Sequence, residues 1–63
     1  MRIYEVKMNS SRYIIVAGSP IAARKLAHEE EGVPPQSEAI LSVIGIYTGY
    51  EVAPFIVMRE EAK

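Results

Sequence analysis

Three segments of this chain are apolar on both sides, yet only one segment nearby reads as a helix to cover them. Tyr13-Ile14-Ile15-Val16-Ala17, Ile40-Leu41-Ser42-Val43-Ile44-Gly45-Ile46-Tyr47 and Pro54-Phe55-Ile56-Val57-Met58 run on without the alternation of a half-buried strand. A strand covered on both faces has that pattern, but a single short helix shields only one face of a small sheet. A second covering layer is therefore expected, and the simplest source is another copy of the chain.

Size sharpens the point. The 63 residues allow a single domain, residues 1–63, and a chain of this length buries only about 60% of the surface its unfolded form exposes. Domains this small draw on disulfides, a metal or association for extra stability. Cysteine is absent, which removes disulfides and thiolate metal sites, and a lone His28 does not make a metal centre. Association remains.

Hydrophobic content of 49% argues against disorder, and 24% charged residues suit a water-soluble globular domain. A net charge of −1 gives no electrostatic footprint for nucleic acid or an anionic membrane. No signal-peptide pattern opens the chain and no apolar stretch has membrane-spanning length. Cytoplasmic location is the default expectation.

Along the chain, Arg2 to Met8 alternates as a strand with Tyr4, Val6 and Met8 on one face. Asn9-Ser10-Ser11 is a polar turn, and Arg12 to Ala17 returns antiparallel. A three-residue loop would set Val6 opposite Ile14 and Tyr4 opposite Val16. Ser19 is a helix N-cap and Pro20 a first helical residue, Ile21 to Glu31 continue the helix, and Gly32 stands at the C-cap. Ala23, Leu26, Ala27 and Glu30 fall on its inner face by spacing. Residues 39–47 read as a third strand, with a helix over 37–44 as the competing assignment. Thr48-Gly49 reads as a tight turn with Tyr47 and Tyr50 paired across it, and Glu51 to Met58 or Arg59 as a last strand at an edge because of Pro54. Glu60 to Lys63 reads as a frayed tail.

The predicted fold class is α+β: a two-layer ββαββ sandwich, one helix on a mostly antiparallel four-stranded sheet of order 2-1-3-4. Its uncovered face would carry five or six apolar side chains, roughly 500 to 600 Å², at or above the largest patch on a typical monomer. The expected oligomer or partner interface is Tyr13, Ile15, Phe55, Val57 and Met58, with a homodimer as the leading assembly and another protein as a possible partner.

Motifs for chemistry are sparse. Gly18-Ser19-Pro20 opens a helix but lacks the ending of a phosphate-binding loop, and no serine stands in a nucleophile elbow. His28, Glu29, Glu30 and Glu31 point different ways around the helix and read as a solvent-facing end. No catalytic residue, metal ligand or cofactor is assigned. The reading is a non-enzymatic, self-associating interaction module with an accessory or regulatory role, of the kind a phage or mobile element encodes. The alternative is a nucleic-acid-binding module stacking bases on Tyr4 and Tyr13 of the first hairpin, which the acidic balance disfavours.

Overall fold

Local chemistry defines the helix before any packing. Ser19 is extended, and its hydroxyl accepts the Ala22 N–H at 3.2 Å. Pro20 then opens α1 (Pro20–Glu31), where its missing N–H would have had no helical acceptor. At the other end Gly32 takes a left-handed conformation, φ 73°, and its N–H reaches the His28 and Glu29 carbonyls. Both ends lie where the sequence signals place them.

The computed structural model describes residues 1–50 and 53–61. Besides α1 it contains β1 (Arg2–Lys7), β2 (Ser11–Ala17), β3 (Ile40–Ile46) and β4 (Phe55–Glu61), in the order ββαββ. All four strands form one sheet with every pairing antiparallel, and α1 packs across β1 and β2. This is the expected two-layer α+β architecture, with β1 between β2 and β3. Residues 40–46 are strand, not helix.

The order differs from 2-1-3-4 at one end: it is β3-β1-β2-β4, so β4 adds to β2 and not to β3. Thr48-Gly49 is accordingly no hairpin between neighbouring strands. Ile46 lies opposite Arg2 and Phe55 opposite Val16, so the chain leaves and re-enters at the same end of the sheet. Three inter-strand steps span about 14 Å, well within the ~26 Å reach of the eight intervening residues. Charge explains the choice of edge. Against β2, Arg59 donates to the Tyr13 hydroxyl and pairs with Glu31. Against the uncharged β3 it would find neither. The expected tail is thus strand through Glu61, while Glu51, Val52, Ala62 and Lys63 fall outside the described residues.

The first hairpin also differs, by one residue. Its turn is Asn9-Ser10, with the Met8 N–H donating to the Ser11 carbonyl at 2.8 Å, and Val6 pairs with Tyr13 and Tyr4 with Ile15. A one-residue slip exchanges the two faces of β2. Tyr13, Ile15 and Ala17 therefore join Tyr4 and Val6 under α1, where Ala23 and Ala27 let the helix come close. Leu26, Leu41 and Ile56 close the rim of this core.

Register puts Ile3, Ile14, Val16, Phe55 and Met58 on the opposite face. That face is less open than expected. Glu5 and Arg12 cross it as an ion pair at 2.6 Å. Tyr47 meets Phe55 edge-on, centroids 5.4 Å apart at 75°, beside the buried Val16.

Candidate functional site

The most polar cluster below the surface gathers around the last residue of α1. Glu31 lies four residues beyond Ala27 and eight beyond Ala23, so helical spacing aims it at the sheet. Its side chain is only 7% exposed. A carboxylate at a helix C-terminus opposes the macrodipole and needs strong donors there. Three hydroxyls serve: Ser10 and Tyr13 donate to it, as does Ser11 at 3.2 Å. Arg59 of β4 lies 3.5 Å away and also donates to the Tyr13 hydroxyl at 3.0 Å. One side chain thereby ties together α1, the first hairpin and β4.

These donors determine its acidity. The Ser10 and Tyr13 hydrogen bonds hold the Glu31 carboxyl down at about 2, against an ordinary 4.5, with Ser11 and Arg59 adding to the effect and burial opposing it. Burial and then the Glu31 carboxylate push the Tyr13 hydroxyl above its ordinary 10.0, with Arg59 opposing. A carboxylate so acidic and so fully occupied is a poor proton acceptor near neutral pH.

His28, expected to face solvent, is 4% exposed. Its Nδ1 lies 2.7 Å from the Arg24 carbonyl and its Nε2 2.7 Å from the Ser37 carbonyl. Arg24 itself donates to the Ser37 carbonyl at 3.3 Å. The ring fastens the segment after the helix back onto α1, and neither nitrogen is left to act on a ligand. Glu29 and Glu30, by contrast, are exposed, and among the described residues no three His, Asp or Glu side chains gather as a metal site.

The expected interface separates into two groups. Tyr13 and Ile15 are 0% exposed beneath α1 and form no surface. Phe55 is half-buried against Tyr47, while Val57 and Met58 are exposed on β4. Tyr4 and Tyr13, the candidate stacking platform, both lie inside the core, and Arg12 is held by Glu5. Tyr50 is exposed, and Tyr47 meets the Phe55 ring. No protein-family model matches the chain, and neither a curated protein nor a solved structure matches it.

Exposed apolar surface lies chiefly at the sheet edges. Ile40, Val43, Ile44 and Ile46 of β3 are 68%, 53%, 52% and 76% exposed. Sequence reasoning named the β4 residues but not these. Their signal was available: β3 is the longest uncharged, proline-free run in the chain.

Proposed function

We propose that the protein is a small, non-enzymatic module that works by self-association, in an accessory or regulatory role in the cytoplasm. The observation that carries this reading is the apolar surface left outside so small a core. Eight large hydrophobic side chains are exposed among the described residues, half of them on one strand. The lack of cysteine leaves association as the available source of further stability.

The polar clusters support the same reading. Glu31 and His28 hold the fold together, the carboxylate accepting from hydroxyls and both ring nitrogens facing backbone carbonyls. Burial of Tyr4 and Tyr13 removes the stacking surface on which a nucleic-acid role would rest. No helix among the described residues is long and apolar enough to cross a membrane. Light scattering over a concentration series tests the proposal. A mass rising to twice the 7.0 kDa of one chain is expected, and a single-chain mass throughout refutes it.

A further inference from the structure

Building on the self-association proposed above, we infer that β3 is the assembly edge: a second copy pairs with it, β3 to β3 and antiparallel, joining two four-stranded sheets into one of eight strands. The two free edges of the sheet are unequal. β4 is preceded by Pro54 and ends in Arg59-Glu60-Glu61. Proline and charge are the usual means by which an edge strand refuses a neighbour. β3, Ile-Leu-Ser-Val-Ile-Gly-Ile, has neither over seven residues. Each edge carries one bulge, at Ile44 and at Val57, so irregularity does not distinguish them.

Self-pairing discriminates further. A two-fold axis repeats the same contacts in both directions, so a strand that meets itself must tolerate its own reversed sequence. Centred on Ser42, antiparallel β3 sets Leu41 against Val43, both on the face shared with Val6 and Tyr4, and Ile40 against Ile44, with no charge at any position. Centred on Arg59, β4 would set that cation against its own copy and Glu60 against Met58, a carboxylate beside an apolar side chain. Ile40, Val43, Ile44 and Ile46 together expose on the order of 400 Å² per copy, about half of what a standard interface takes from each partner before the strand backbone is counted. A reversible, concentration-dependent dimer follows from that size.

The test is sedimentation velocity on the wild type, Val43→Lys and Val57→Lys, with circular dichroism confirming that each is folded. A dimeric wild type and Val57→Lys beside a monomeric Val43→Lys is the expected result. A folded Val43→Lys that still dimerises overturns the β3 edge while leaving self-association intact. A wild type that stays monomeric overturns both. Should Val43→Lys fail to fold, hydrogen exchange on the wild type decides: β3 amides must gain protection as concentration rises, and unchanged β3 exchange rejects the assignment.

Discussion

The Tyr13 hydroxyl donates to the Glu31 carboxylate, so the central strand β2 is bonded to the final residue of the only helix described. Arg59 completes the link from β4, donating to the same hydroxyl and pairing with the same carboxylate. Three elements distant in sequence meet at this point, and its chemistry makes stability depend on pH.

Acid should weaken the fold through Glu31. Its folded-state value of about 2 lies below the ordinary 4.5, so the folded state binds this proton less tightly than the unfolded one. The stabilisation is therefore complete above about 4.5 and is lost as pH falls toward about 2. Its size is on the order of 2 kcal/mol. Denaturant unfolding of Glu31→Gln should show a loss of that order near neutral pH and a flatter acid limb than wild type. An unchanged acid limb would contradict this role.

Alkali acts through Tyr13 in the opposite sense. Its value is raised above 10.0, so its contribution holds below 10.0 and fades as pH climbs past the raised value. Tyr13→Phe should cost about 1 kcal/mol near neutral pH. In an ultraviolet titration it should remove a late tyrosinate step. Loss of an early step would place the burial of this hydroxyl in error.

His28→Leu keeps the buried volume but removes both carbonyl contacts. The Ser37 N–H, which donates to the Pro34 carbonyl at 3.0 Å, should exchange faster as the segment after α1 loosens. Stability should fall by about 1 to 2 kcal/mol. Unaltered exchange at Ser37 would show that the ring is not what holds the segment.

Tyr47→Ala should uncover the sheet face beside Val16. The edge-on contact with Phe55 is worth about 1 kcal/mol beyond its buried area. Thermal unfolding should register that loss or more, with a diminished near-ultraviolet dichroism signal. A neutral result would mean that Phe55 closes the face unaided.

The parts of the fold written in short-range chemistry were legible in the sequence. Ser19, Pro20 and Gly32 delimit the helix because capping depends on a few adjacent residues. The hairpin register was not, for a physical reason: β2 is apolar on both sides, so Tyr13 and Ile15 make as plausible a buried set as Ile14 and Val16. Only the turn length decides, and Asn9-Ser10-Ser11 permits two or three residues. The place of β4 was hidden by the strong local turn signal of Thr48-Gly49, whereas the contacts that tie β4 down, Arg59 with Tyr13 and with Glu31, are remote in sequence. Glu31 itself was readable from the 23, 27, 31 spacing, one residue beyond the position the sequence reading chose.

The most direct test of β3 as the assembly edge is an isotope-filtered nuclear Overhauser experiment on a mixture of labelled and unlabelled wild-type chains. Intermolecular cross-peaks joining Leu41 to Val43, and Ile40 to Ile44, of the other copy are predicted. Intermolecular cross-peaks confined to Val57 and Met58 of β4, or none at concentrations where the mass is that of a dimer, would contradict it.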